Sequence, residues 1–495
     1  MNERLRLASF TAALGAFAFL VAIWLARPFV GGDTPFVLDG TNAFLTCLSH
    51  HDYHACGYTG KLNYWGLMSP IGWWPLLQHI PDAITIGLGG DGHAARTRVL
   101  ATLSVVGVIA TVGLGWLVLR RTGRAGWFWG FLFIALSGPI IAYGRQTAGE
   151  AFAMGLLVCL VAATVLRAPP WAVGLAALGA CLTKETSYPF VAALGLLGLV
   201  LARRRTGEPI LRHAIWGAAG MAITITAASL FNIVRFGSVL NTNYLDTQLR
   251  TPTLGRTLDY IGAVFASPSG GLYISWPAAS VLVTVACVLP LLKADFRSAY
   301  TRPALVVIGC VGALSIGFAS WWTPFGWSGY GPRLQLPWVP PLVLIVLVAY
   351  GTELAALTQR LLARTWRLLA VFAVVFVSAL PHIGYMWDFE SLGGYFGQEH
   401  PPCNAPWRSG VETWHRCQHR LLWDDRPMPF YTVDGVKTAG GATTAALVAL
   451  GLLGCLLLLR DALSREARTV PQDRRERTPA RPAVQTAGPR TDPAR

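Results

Sequence analysis

Asp33 sits in the stretch GGDTPFVLDG, residues 31–40, just past an apolar run from Ala8 to Ala26 that Arg27 and Pro28 close. An ionisable side chain at a membrane edge is costly and commonly functional. A carboxylate there suits a base that takes the proton of a hydroxyl. The same GGD also suits a tight turn, while Asp39, followed by Gly40 and Thr41, reads as the N-cap of a helix. Further polar residues stand at the ends of later apolar runs. AYGRQTAGEAF carries Arg145 and Glu150, and CLTKETSYPF places Lys184 and Glu185 between two apolar half-spans. A charge pair in that position must be neutralised within itself or by a ligand. FNIVRFGSVLNTNY supplies Asn232, Arg235 and Tyr244, and WWTPFGWSGYGPRL supplies Trp327, Tyr330 and Arg333. Aromatic faces suit sugar rings, and a guanidinium fork suits phosphate. The combination points to a glycosyl phosphate.

Membrane-spanning elements must position these residues. The chain is 53% hydrophobic and 13% charged with a mean hydropathy of +0.47, against about 25% charged residues in soluble domains. Apolar runs close to the roughly 20 residues that cross a bilayer fall near 8–26, 98–119, 126–143, 151–166, 170–184, 188–202, 214–233, 272–292, 303–321, 335–351, 367–384 and 440–459. The sequence therefore predicts an all-α polytopic membrane protein of about 12 spans, within a range of 11–13. The fifth and sixth, divided by Lys184 to Ser187, read as one broken pair.

Short basic segments mark the cytoplasmic side. Arg4 and Arg6, Arg120 to Arg124, Arg203 to Arg205, and Arg360 to Arg367 all agree with both termini inside. The net charge of +15 is then largely topogenic arginine facing anionic lipid. The first run reads as a retained helix rather than a cleaved signal. Residues 1–460 form one predicted membrane domain, with outer loops at 27–97 and 381–439, and residues 461–495 read as a disordered basic cytoplasmic tail. SPIGWWPLLQHIP, with Trp73, Trp74, Leu76 and Leu77, reads as a short outer-face interfacial helix. No Walker loop occurs, which excludes an ATP-driven pump of that type.

Cys47 with Cys56, and Cys403 with Cys417, fall in outer loops as disulfides would in an oxidising compartment. His50, His51, Asp52 and His54 carry metal-ligand chemistry, but no second ligand pair stands at a recognised spacing, so they read as a polar loop tip. Lysines at 61, 184, 293 and 437 are the only ones among 40 basic side chains, a codon bias that suggests a GC-rich bacterial genome.

In order along the chain, GGDTPF, SPIGWWPLLQHIP, TKET, NIVRFGSVLNTNY, SPSGGLYISWP and WSGYGPRLQLP resemble the polytopic GT-C superfamily of glycosyltransferases. The likeness is to bacterial members similar to protein O-mannosyltransferases and aminoarabinose transferases. The resemblance implies a polyprenyl-phosphate sugar donor used on the outer face of the bacterial inner membrane, with a glycan, glycolipid or protein as acceptor and no nucleic acid partner. It implies that Asp33 accepts the acceptor's proton and that direct displacement inverts the sugar. Arg333 and Lys184, then Arg145 and Arg235, would stabilise the leaving phosphate. Glu150 and Glu185 would orient those cations or share a divalent ion, Mg or Mn, with Asp33. The chain has a single Asp33 where better-defined members have an adjacent acidic pair, and it lacks their Trp-Trp-Asp signature, which argues against an oligosaccharyltransferase. The competing classes are a multi-span transporter, whose expected internal repeats are missing, and a lipid-carrier flippase.

Overall fold

The computed structural model describes residues 1–29, 34–50, 76–147, 149–183, 187–236, 238–240, 253–292, 331–390 and 411–469. Among them the backbone is helical, with one isolated parallel bridge between Phe29 and Gln146. Helices satisfy their own backbone groups, as a bilayer demands. The segment after α1 (Glu3–Ala26) holds α2 (Thr34–His50) and α3 (Leu76–Gly87), and the chain continues as α4 (His93–Arg121). Next come α5 (Phe128–Leu136), α6 (Glu150–Val165), α7 (Pro170–Leu182), α8 (Tyr188–Thr206) and α9 (Leu211–Phe236). The remainder comprises α10 (Leu254–Ala266), α11 (Pro277–Leu292), α12 (Val339–Leu362), α13 (Thr365–Trp387), α14 (Val411–His419) and α15 (Ala439–Thr469).

Six helices, α1, α4, α9, α12, α13 and most of α15, are long and apolar enough to cross a membrane. The described chain is thus a multi-pass, all-α membrane protein. Shorter apolar helices cover the third, fourth, fifth and eighth predicted spans. The sixth is α8, and the ninth, 303–321, lies outside the described residues. Among the described residues, helices of spanning length do not reach the expected count of about 12. The third predicted span illustrates why. It stops at Leu136, ahead of Ser137, Gly138 and Pro139, where a Cβ on Gly138 would lie 2.2 Å from Trp276. The Trp276 indole donates to Ile134 O (2.9 Å), and that of Trp24 to Ile141 O (2.9 Å), so backbone on both sides of the break keeps partners.

Two further expectations are corrected. Asp39 does not cap a helix: α2 begins five residues earlier, at Thr34, and Asp39 is an exposed residue within it. The helix of the last span also runs through Asp461 to Thr469 rather than ending at 460. There Asp461 binds the terminal ammonium of Met1 (3.3 Å), Arg6 (3.4 Å) and Arg465, joining the start of α1 to the end of α15.

Without a hydrophobic drive between helices in lipid, close approach at small residues holds the bundle together. A Cβ on Gly107 of α4 would lie 2.3 Å from Ala151 O of α6, and one on Gly155 would lie 2.6 Å from Gly107 Cα. Gly113 on the same α4 has nothing within 4 Å. Gly107→Val should therefore cost about 1–3 kcal/mol through overpacking. Gly113→Val should leave the thermal unfolding midpoint of the detergent-solubilised protein unchanged. Equal midpoints for the two variants would remove this crossing as a stabilising contact.

Candidate functional site

The chain leaving α1 lies along residues 145–147. Phe29 N donates to Arg145 O (3.2 Å), and the hydroxyls of Thr34 and Thr147 are hydrogen-bonded. Ser104 of α4 donates to Gln146 O and holds that strip from below. Asp33 lies outside the described residues.

Arg145 is 6% exposed. It donates from Nη1 to Arg27 O (2.8 Å) and from Nη2 to Met386 O, its guanidinium lies 5.7 Å from the Phe29 ring centre, and its Nε has no partner among the described residues. Burial first, then the neighbouring Arg27, lower its pKa to about 10, with Tyr385 acting the other way. Arg145 is thus still a cation at neutral pH. No carboxylate pairs with it among the described residues. A cation so placed attracts an anion.

Glu150 follows immediately. It opens α6 after Gly149, whose φ of +83° suits glycine. A carboxylate in the first turn is favoured by the helix dipole. Its Oε1 accepts from Arg333 Nε (2.9 Å), with the two side chains 4% and 12% exposed, while its Oε2 has no partner among the described residues. A Cβ on Gly149 would lie 2.7 Å from Gln78 Nε2, which brings α3 over this corner.

Arg333 is delivered by a tight crossing of two glycine loops. A Cβ on Gly270 would lie 2.6 Å from Gly331 Cα, and Gly331 has φ +66°. SPSGG and GPR, distant in sequence, are thereby pressed together. Beneath them His382 Nε2 donates to Ser275 O (2.9 Å), and Ser275 Oγ donates to Gly270 O (3.0 Å) and Gly271 O (2.9 Å). The sequence reading missed His382, although a histidine in the apolar run of α13 was a visible signal.

Arg235 is buried at the end of α9. Asn232 Oδ1 accepts from its Nε (2.9 Å) and Nη2 (2.7 Å), and it lies 4.6 Å from the ring centres of Phe231 and Phe236. Phe231 in turn meets Phe44 of α2 (5.4 Å) and His79 of α3 (6.0 Å). The residue after Gln78 thus reaches the Arg235 cluster, so α3 joins both groups of cations.

What holds α3 was also missed. Asp82 is fully buried and receives Arg96 Nε (2.7 Å) and Nη2 (2.6 Å) in a two-pronged pair, and Arg96 Nη2 donates as well to Leu38 O (2.8 Å). One guanidinium therefore ties α2, α3 and α4. Removing one partner of a buried pair strands the other, at about 3–5 kcal/mol. Asp82→Asn should lower the unfolding midpoint accordingly in thermal denaturation, whereas Asp39→Asn, on the exposed face of α2, should not. A midpoint unchanged by Asp82→Asn would contradict the tie.

α10 docks against the described residues that follow 410. Tyr260 OH and His415 Nδ1 share a hydrogen bond (2.9 Å), His419 Nδ1 meets Asp259 Oδ2 (2.7 Å), and Ser267 and Ser269 donate to Leu422 O (2.8 Å) and Leu421 O (2.7 Å). Burial pushes the Tyr260 hydroxyl pKa up, so it stays neutral. Cys47 and Cys417 are each disulfide-bonded. Their expected partners, Cys56 and Cys403, lie outside the described residues.

Of the expected site residues, the structure joins Glu150 to Arg333 and places Arg145 on the same connection, with Arg235 reached through α3. Asp33, Lys184, Glu185, Tyr244, Trp327 and Tyr330 lie outside the described residues. The flanks of Lys184 both return to one carbonyl, Thr183 Oγ1 (2.6 Å) and Ser187 Oγ (3.1 Å) donating to Ala180 O. Among the described residues no group of three or more His, Cys, Asp or Glu side chains is arranged to hold a metal ion.

No family model matches the chain, and no curated protein matches it. Two solved structures of ArnT from Cupriavidus metallidurans are similar to it. The one bound to undecaprenyl phosphate is 17% identical with a TM-score of 0.46, over 92% of this chain and 78% of that one. The apo structure is 16% identical with a TM-score of 0.45, over 89% of this chain and 77% of that one. Likeness at this level assigns no activity.

Proposed function

We propose that the chain is an inverting membrane glycosyltransferase, moving a sugar from a polyprenyl-phosphate donor to an acceptor hydroxyl on the extracytoplasmic face. Arg145 carries the reading: it is a nearly enclosed guanidinium with an unpartnered Nε and no carboxylate partner among the described residues. A phosphate supplies the missing charge and accepts that N–H. The sugar, and the choice of glycan, glycolipid or protein as acceptor in the cell envelope, stand beyond this argument.

In the proposed reaction the acceptor oxygen attacks the anomeric carbon as its proton passes to the Asp33 carboxylate. The bond from that carbon to the phosphate oxygen breaks, and its electron pair leaves on the polyprenyl phosphate. Preorganised cations at the place where this charge grows lower the barrier. Arg145 and Arg333 take that role, with Lys184 and Arg235 as further proposed contributors. Glu150 aims Arg333 through Oε1, and its Oε2 accepts from a sugar hydroxyl or, with Asp33 or Glu185, would hold a Mg or Mn ion that offsets phosphate charge. Tyr244, Trp327 and Tyr330 are proposed to face the sugar ring. Acting on a lipid-linked donor, the enzyme works in a bacterial inner membrane with both termini cytoplasmic.

Transfer from a panel of radiolabelled polyprenyl-phosphate sugars to a crude acceptor extract, with the full chain in lipid nanodiscs, tests the chemistry. Asparagine matches aspartate in size but carries no charge, so Asp33→Asn removes the proposed base at nearly constant volume. Its transfer should fall by about 10²–10⁴-fold with donor binding retained. Equal transfer by both proteins would reduce Asp33 to a turn residue. No transfer with any donor would favour a transporter or flippase.

A further inference from the structure

At the other end of the bundle lies a feature that sugar transfer does not use. α12 has 24 residues, about 36 Å at about 1.5 Å per residue, so Leu362 is a membrane thickness away from the Arg333 end. Around that far end, Trp127, Leu282, Leu354, Leu362, Val371 and Leu456 line a cavity of about 420 Å³. That is within the roughly 300–1,000 Å³ of ligand pockets. Val281, Leu357, Leu361 and Val374 also line it and are exposed, so the cavity opens sideways onto the apolar face of the bundle. The lining is hydrocarbon except for Thr358 and the Trp127 indole, and that indole's N–H is already given to Gly351 O (2.9 Å).

Cations crowd the mouth. The turn from α12 to α13 carries Arg360, Arg364 and Arg367, within a helical turn of the lining residues Leu357, Leu361 and Ala370. Residues three and four apart share a helix face. Arg367 donates to Arg360 O (3.3 Å) and lies 5.3 Å from the Trp366 ring centre. None of the three arginines pairs with a carboxylate among the described residues. Arg124 approaches from α5's side, its Cδ 3.0 Å from where a Cβ on Gly351 would stand, and its Nε is buried without a partner. Glu466 also lies at this corner, where its Oε1 accepts from Gly126 N (3.3 Å).

We propose that this groove is a binding site for an anionic phospholipid of the leaflet at that end, one acyl chain lying in the cavity and the phosphate resting on Arg360, Arg364 and Arg367. Charge complementarity selects the occupant. A zwitterionic lipid offers the same chain but no net charge to a turn that carries three guanidinium groups, and each basic residue near a bilayer surface favours anionic lipid. The site is separate from the Arg145 corner and stands whether or not that corner transfers sugar.

Native mass spectrometry of the full chain, released from detergent and titrated with dioleoylphosphatidylglycerol or dioleoylphosphatidylcholine, reads the site directly. The wild type should retain one phosphatidylglycerol at least about tenfold more tightly than phosphatidylcholine. Replacing Arg360, Arg364 and Arg367 together by Gln should abolish that preference. Leu282→Trp, which fills the cavity and leaves every arginine in place, should weaken retention of both lipids. Two variants acting on head and tail separately keep the test sound if one of them folds poorly. Equal retention of the two lipids by wild type, or an undiminished preference in the arginine variant, would overturn the proposal. So would displacement of phosphatidylglycerol from the site by polyprenyl phosphate at equal concentration, because the occupant would then be the donor carrier.

Discussion

A buried guanidinium without a carboxylate partner among the described residues is the constraint around which this end of the bundle is organised. Arg145 gives two of its N–H groups to the carbonyls of Arg27 and Met386 and keeps Nε unpartnered in a place with little water. Burial and Arg27 lower its pKa only to about 10, so the charge persists at neutral pH. A structural arginine in such a place would be expected to have a carboxylate, as Arg96 has Asp82. On the proposed reading, the contrast between these two arginines separates a fastening from a binding group.

The remaining contacts at that end keep the cation where a ligand can reach it. The strip 145–147 is held by Phe29 and Thr34 on one side and Ser104 on the other. Glu150 is brought to Arg333 by the start of α6 and by the Gly270–Gly331 crossing, which only residues without a Cβ permit. The Asp82–Arg96 pair keeps α3 laid across these elements, with Gln78 over Gly149 and His79 against Phe231. Most of these ties join segments far apart in the chain, so the site is a product of the whole bundle rather than of one loop.

That dispersion explains what the sequence could and could not show. Apolar runs were legible because lipid demands long stretches of hydrophobic side chains, and the helices of spanning length all coincide with such runs. Boundaries were less so. The break after Leu136 depends on Trp276, and the continuation of the last helix to Thr469 depends on Asp461 meeting Met1 and Arg6. Arg145, Glu150 and Arg333 stood out because charge at the end of an apolar run is conspicuous, yet the bond between Glu150 and Arg333 spans 183 residues and no local pattern encodes it. Asp82 and Arg96 lay unnoticed in a polar outer segment, where charges are ordinary until folding buries them. Asp39 misled because a local capping signal was read where the helix had already begun.

The central claim, that Arg145 awaits a lipid phosphate, is tested most directly by titrating polyprenyl phosphate, without any sugar, into the purified wild-type protein and into Arg145→Gln, with binding followed by calorimetry. A hydrogen bond to a charged group contributes about 1.5–3 kcal/mol, so the variant should bind about 10- to 100-fold more weakly while its unfolding midpoint stays at or above that of the wild type. Unchanged affinity in a folded Arg145→Gln protein would show that the buried guanidinium serves the fold alone.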